Sequence, residues 1–563
     1  MPDVRRSVLA AVVVIAAALI PVIVLVGPGE PIDVKGAVVD AAGAPVRGAT
    51  VRVQTTDTAA TTGADGRFTI TAPEPGAPVR LTAWAEGYFI AGGDTHRPGD
   101  EVTLVLTRFD PVDHPSYEWL SVSAGGEGEN QGCAACHSRH GTDLDYTLPV
   151  DQWEVDAHGT AAVNRRFLTM YAGTDLEGNQ SPPTRHVDSR DYGDIPLRPD
   201  PDLPYYGPGY RLDFPDSDGN CAACHTPMAS IDDPYGVDPT MVDGVAAEGI
   251  GCDFCHKVWD VRIDEATGLP DPNRPGVLSF EFLRPAEGHQ FFAGPFDDVA
   301  PGEDTYSALQ TESRFCAPCH FGVFWDTIVY NSFGEWLASP YSDPESGRTC
   351  QDCHMPPTGG PRFALAEAGG LERDPNTIPG HLMPGAADED LLRNALTMKV
   401  TAEAAPDGLI VEVELVNDLT GHHVPTDSPL RHLILLVEAT GPEGPLELID
   451  GPRVPEWGGV GDPAAGRYAG LPGTAYAKVL EELWTEVSPS GSYWNQTRIL
   501  SDNRIPAMGS DPTGYVFAAP DAGEVEVEVI LVYRRAFIDL AEQKGWDPGD
   551  VVMENETLRV TIR

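Results

Sequence analysis

Ten cysteines fall into five pairs, each spaced two residues apart and each followed at once by histidine: Cys133/Cys136/His137, Cys221/Cys224/His225, Cys252/Cys255/His256, Cys316/Cys319/His320 and Cys350/Cys353/His354. No cysteine is left over. Two thiols at i and i+3 can add to the two vinyl groups of one haem, and a histidine at i+4 then lies beneath the iron as an axial ligand. The pattern therefore predicts five covalently attached haem c groups, with these fifteen residues as the cofactor-binding set and the five histidines on iron. Rival uses of the thiols fit worse. A structural zinc site takes four ligands per metal without a histidine after every pair, and thioredoxin-like motifs do not recur five times without βαβ patterning. Disulfides, the usual fate of exported cysteines, impose no such spacing.

Each iron has a second axial position, and ten histidines lie outside the motifs. Met355 and Met228 are too close in sequence to His354 and His225 to reach the opposite face of the same haem. His158 is the first expected distal ligand, carried on a helix that runs from Trp153 through Phe167, Leu168 and Tyr171. One of His422 and His423 is the second, presented by a loop that Pro425 stiffens, so that little entropy is lost on ligation. His381, after Pro379-Gly380, and His289, beside Phe291 and Phe292, follow. His140 competes with His186 for the last place; it is too near His137 to share its iron but within reach of an adjacent one. His96, His114 and His432 are expected in turn, loop and strand positions without iron.

The elements that must hold these groups are unevenly legible. Residues 31–109 contain no cysteine and alternate apolar with polar residues, as at Arg67-Phe68-Thr69-Ile70-Thr71 and Val102-Thr103-Leu104-Val105-Leu106, between Gly/Pro/Asp turns; this predicts a β-sandwich. Residues 110–395 carry all five motifs among many Pro and Gly and only short helical patterns, so the haems themselves must form the core there. From 396 to 563 strands return, at Leu409–Leu415, His432–Val437 and Val525–Leu531, predicting a second sandwich that caps one haem through the His422 loop. Residues 1–30 hold Arg5 and Arg6 before an apolar run from Val8 to Val26. That run is longer than the 7–15 residues usual in a cleaved signal and close to the roughly 20 that span a bilayer, so an uncleaved transmembrane anchor is expected ahead of a removed signal. The two arginines then stay in the cytoplasm and the rest of the chain lies outside it, in the periplasm or at the cell surface. The fold class read from the sequence is multidomain: an irregular, short-helical pentahaem core flanked by two β-sandwiches.

A formal net charge of −49 reverses the sign of the attraction that draws proteins to nucleic acid, which excludes DNA and RNA as partners. Basic redox proteins or other cytochromes suit such a surface, and the membrane is reached through the N-terminal run.

The order Gly36-Ala37-Val38-Val39-Asp40, Pro45-Val46-Arg47-Gly48-Ala49 and Asp65-Gly66-Arg67-Phe68 resembles the carboxypeptidase-regulatory-like sandwich, whose members are usually spacers or binding modules. Residues 110–540 resemble exported multihaem cytochromes of the nitrification-type tetrahaem superfamily. That resemblance rests on Trp153 to His158, on Gly251-Cys252-Asp253-Phe254-Cys255-His256-Lys257, and on Glu335-Trp336-Leu337-Ala338-Ser339-Pro340-Tyr341 leading to Cys350-Gln351-Asp352-Cys353-His354-Met355-Pro356. Gly421-His422-His423-Val424-Pro425-Thr426, Ser501-Asp502-Asn503-Arg504-Ile505 and Tyr533-Arg534 complete it. It implies closely stacked haems, mostly with two histidines per iron, and supports His158 and His422 as distal ligands. No Cys-x-x-Cys-Lys occurs, so the mark of the nitrite-reducing relatives is missing. Electron transfer between a membrane donor and an external or periplasmic acceptor is therefore expected ahead of the alternative, an oxidoreductase acting on a small inorganic nitrogen or sulfur compound at one open haem. No catalytic residue is assigned.

Overall fold

Alternation of apolar and polar residues builds the N-terminal unit. Arg67–Thr71 and Glu101–Leu106 bury every second side chain, and both pair with Asp33–Asp40, the first antiparallel and the second parallel. A second sheet runs Ala59–Thr61, Thr50–Val53, Val79–Trp84, Ala91–His96. Val34, Val38, Val51, Phe68, Leu81, Val102 and Leu104 fill the space between the two. Gly36 is required by close approach, since a Cβ there would stand 2.2 Å from the Val102 carbonyl oxygen.

The computed structural model describes residues 33–71, 77–97, 99–123, 132–299 and 302–563. The apolar run Val8–Val26, and with it the expected anchor, lies outside the described residues. Among the described residues no helix is long and apolar enough to cross a membrane.

Between the sandwiches the chain forms short helices joined by turns, the longest being Arg165–Ala172. The motifs themselves make many of them: Ala134–His137, Ala222–His225, Cys252–Lys257 and Cys350–His354. The helical turn follows from what it must present, because residues i, i+3 and i+4 share one helix face. In Cys316–His320 the turn holds without a helix: Pro318 lacks an N–H, yet the His320 amide still donates to the Cys316 carbonyl at 3.2 Å.

One expected element is broken. The helix meant to run from Trp153 to Tyr171 is two helices, Pro149–Trp153 and Arg165–Ala172. Asp156 turns its carboxylate onto the His158 amide at 2.9 Å, and Asn164 caps the second helix by accepting from the amides of Arg166 and Phe167. Short polar side chains compete for backbone donors in this way and end helices. His158 therefore sits in a tight turn.

The C-terminal unit is a two-layer sandwich. One sheet orders Thr397–Ala405, Gly408–Val416, Ser510–Phe517, Leu448–Asp450; in the other, Gly523–Arg534 lies between His432–Gly441 and Val551–Ile562. Leu409, Val411, Val413 and Leu415 meet Leu433, Leu435, Val525, Val527, Val529 and Leu531 across the core. The loop between Gly408–Val416 and His432–Gly441 carries His422 and His423 toward the motif-bearing region. A helix at Ile538–Lys544 ties this unit to residues 169–208 through Lys544, whose buried ammonium donates to the carbonyls of Thr169, Thr174 and Pro208. Burial pushes its pKa down to about 7, and three acceptors with no carboxylate call for three N–H donors. Lys544→Met, which leaves those carbonyls buried and unpaired, is expected to cost about 2–3 kcal/mol, read as a lower denaturation midpoint.

Candidate functional site

All ten cysteines and all five motif histidines line one cavity of about 1590 Å³, together with His158, His381, His422 and His423. The rest of its wall is largely apolar and aromatic, with Phe167, Phe280, Phe292, Phe321, Phe333 and Trp336 among the lining residues. A volume of this size exceeds the several hundred Å³ that suit one ordinary ligand. The fold thus fits large planar apolar groups, and the thiols to attach them are already on the wall.

Thiols from different motifs come together. Cys133 lies beside Cys252, Cys224 beside Cys319, and Cys316 beside Cys350, each contact lowering one thiol's pKa and raising its neighbour's. Attachment points of the first and third, second and fourth, and fourth and fifth motifs are therefore neighbours. Elsewhere burial alone dominates and pushes Cys221 and Cys255 up to about 12.

The imidazoles are oriented from behind. His137 Nδ1 donates to the Phe363 carbonyl at 2.7 Å, His256 Nδ1 to that of Ala293 at 2.7 Å, His354 Nδ1 to that of Pro384 at 2.7 Å and His422 Nδ1 to that of His423 at 2.9 Å. A carbonyl can only accept, so each Nδ1 carries a proton, and the neutral form of each ring then offers Nε2, the tautomer a metal ligand needs. His158 Nδ1 meets Asp156 at 2.7 Å, and His320 Nδ1 stands 3.7 Å from Asp427. Burial disfavours the Asp427 charge, yet His320 and Arg431 hold its carboxyl well below the usual range.

Two ring pairs have the separation that a shared iron demands. His354 and His422 have centroids 6.3 Å apart with planes 16° from parallel, and His158 and His320 have centroids 6.3 Å apart at 63°. A metal ion that both imidazoles of such a pair could hold by nitrogen bonds of about 2 Å would need a separation of this order. His381, on the cavity wall, is pushed down to about 4 mainly by burial and secondarily by the charges of His256 and His137. His225 is likewise pushed down to about 4 by burial and stacks on Phe167 at 3.7 Å; no second imidazole faces it at such a separation among the described residues.

Other expected ligands stand apart from the cavity wall. His140 is 69% exposed and turns to Asp151 and Glu154; His289 is 64% exposed and bonds Glu303 at 2.8 Å. The aromatic neighbour that marked His289, Phe291, belongs to a cluster with Phe109 and Trp259. His186 is exposed on the strand His186–Ser189. His432 is buried in its strand and stacks on Phe537 at 4.7 Å. His423 directs Nδ1 toward Glu335 at 3.6 Å, leaving His422 as the loop imidazole that faces a motif histidine.

The scattered segments behind the sequence resemblance converge here. Glu335 accepts from Arg504 at 2.7 Å, from the His423 amide at 3.2 Å and from the Thr426 hydroxyl; Tyr341 donates to the Asp418 carbonyl at 3.2 Å; Asn417 donates to the carbonyls of His422 and Ile505. Sequence reasoning did not find Asp427 or the carbonyls of Phe363, Ala293 and Pro384 as partners of the imidazoles. The residues carrying the carbonyls have no side-chain signature for that role, whereas Asp427, close to His422, offered one.

Residues 33–107 match the family model of the carboxypeptidase regulatory-like domain. No curated protein matches the chain. The crystal structure of a penta-heme cytochrome c552 from Thermochromatium tepidum superposes with a TM-score of 0.49 at 18% identity, over 76% of this chain and 97% of that one. The N-terminal sandwich is thus the part of this multidomain, β-rich chain that a known family model describes.

Proposed function

We propose that this chain binds five haem c groups through its Cys-x-x-Cys-His motifs and relays electrons outside the cytoplasm, between a donor associated with the membrane and an external or periplasmic acceptor. The observation that carries the reading is the meeting of all five motifs on one cavity wall with thiols of different motifs in contact. Haem iron supplies reversible one-electron storage when bound. The chain's own residues do the rest: carbonyl-tethered imidazoles fix their Nε2 atoms, apolar walls exclude water, and adjacent attachment points set the order of transfer. A surface of net charge −49 favours basic partners, whose encounter then weakens with salt.

A second reading has its own observation. The second motif's imidazole, His225, has Phe167 against its ring. Among the described residues neither it nor His137 nor His256 has an imidazole at the separation of the two paired rings, but His381 lies near the last two, which leaves the second motif as the one that suits an iron open to a small inorganic nitrogen or sulfur compound. One experiment tests both. The protein matured with haem-attachment machinery is expected to gain the mass of five porphyrins; a colourless product sinks the proposal. Low-temperature EPR of the oxidised protein, with optical spectra after reduction and CO addition, then separates the readings: five low-spin, unreactive irons support the relay, while one reactive high-spin iron, retained in His381→Ala and absent after loss of the second motif, supports the enzyme.

A further inference from the structure

The N-terminal sandwich touches the cavity at two places, and each contact leads in short steps to a motif imidazole. At the first, Arg52 forms a two-pronged ion pair with Asp297, at 2.6 and 2.9 Å, and Gln54 donates to the Asp298 carbonyl at 3.0 Å. The Thr55 amide donates to the Asp298 carboxylate at 2.6 Å. Thr55 adopts φ +66°, a left-handed conformation that a β-branched residue takes only when its surroundings impose it. Asp298, almost wholly buried, also accepts from Arg373 at 2.7 Å. The Arg373 guanidinium lies over Phe296 at 4.4 Å and Phe363 at 5.6 Å, and it is the Phe363 carbonyl that holds His137 Nδ1.

At the second contact, Trp84 Nε1 donates to the Thr305 hydroxyl at 3.0 Å, which donates in turn to the Tyr88 carbonyl at 2.9 Å; the Ile90 amide donates to the Asp304 carbonyl at 2.9 Å. Asp304–Tyr306 pairs in parallel with Phe292–Gly294, and the Ala293 carbonyl of that strand holds His256 Nδ1. Trp84 covers the pair by packing edge-on against Tyr306 at 5.0 Å.

We infer that the sandwich is a buttress for the proximal imidazoles of the first and third motifs, setting their orientation and donor strength through Asp298–Arg373–Phe363 and through Thr305–Ala293. The inference rests on the haem reading above and gives the carboxypeptidase-regulatory-like unit a role beyond spacing. A hydrogen bond to Nδ1 raises the basicity of the coordinating nitrogen, so its partners tune the metal. Arg52, Asp298, Trp84 and Thr305 are positioning residues, since each reaches an imidazole through other residues.

The test uses the full-length haem-loaded protein. Thr305→Val replaces the hydroxyl at nearly constant volume, Thr305→Ser restores it, and Asp298→Asn removes the charge that holds Arg373. Arg67→Ala breaks an exposed pair with Glu101 on a face away from the cavity. Thr305→Val and Asp298→Asn are each expected to shift one of the five reduction steps and the matching low-spin EPR signal, with five haems retained; Thr305→Ser and Arg67→Ala keep the parent values. Hydrogen exchange over residues 291–299 and 302–307 should quicken in the first two variants. Unchanged potentials and spectra in both overturn the buttress. A parent protein lacking five haems instead overturns the haem reading, and the exchange rates still report the mechanical coupling.

Discussion

On the proposed haem reading, replacing His422 by alanine is expected to turn one low-spin haem high-spin and to raise its reduction potential, while His423→Ala leaves every spin state as it was. His422 faces His354 at 6.3 Å with its Nδ1 proton committed to the His423 carbonyl, whereas His423 directs its ring to Glu335. Loss of an imidazole weakens the field at the metal and removes a donor that favours the ferric state. Changes of axial ligand sweep haem potentials over about 0.8 V, so even a modest share of that range exceeds what outer groups contribute. His422→Met is expected to stay low-spin with a raised potential. EPR and spectroelectrochemistry of the three variants check the set. A His422→Ala protein indistinguishable from the parent would show that this imidazole binds no iron.

The features legible in the sequence are those that covalent or periodic constraints write into neighbouring residues. A sheet with one buried face fixes alternation, so both sandwiches could be read directly, and the Cys-x-x-Cys-His spacing lies within five neighbouring residues, so the five thiol pairs that the fold gathers on one cavity could be read too. The facing imidazoles left a fainter trace. The sequence marked His158 and the His422-His423 loop, but not which motif histidine each would meet, because the partner comes from far along the chain: His320 meets His158 and His354 meets His422. Aromatic neighbours were a partial guide: Phe291 and Phe292 marked His289 as a pocket residue, and Phe292 does line the cavity, but Phe291 enters a separate core and His289 faces Glu303 and solvent. The carboxylates of Asp151 and Glu154 likewise hold His140 outside. The break at Asp156 and Asn164 was available from capping chemistry. The apolar pattern of Trp153, Leu168 and Tyr171 hid it, since two short helices joined by a turn can bury the same residues as one long helix. The buttressing carbonyls were beyond reach for another reason: every residue has one, and only the fold decides which meets an imidazole.

Glu335→Ala is expected to destabilise the chain by about 3–5 kcal/mol, the cost of stranding one member of a buried ion pair. The Glu335 carboxylate is almost fully buried and is shared among Arg504, the His423 amide and the Thr426 hydroxyl. Arg504 keeps a two-pronged pair with Asp502 at 2.8 Å and a weak bond to the Pro425 carbonyl, which places the cost toward the lower end of that range. Glu335→Gln retains the shape and one acceptor and should lose only about 1–2 kcal/mol. Because the pair is desolvated, added salt should change neither difference much, in contrast to an exposed pair such as Lys399–Glu414. The loop that Glu335 braces also presents His422, so the alanine variant should show partial high-spin character at the same haem that His422→Ala converts fully. Denaturant titration gives the first quantity and EPR the second. If stability falls while every iron keeps its parent spectrum, Glu335 supports the sandwich but not the imidazole; if neither moves, the buried carboxylate does not brace this loop.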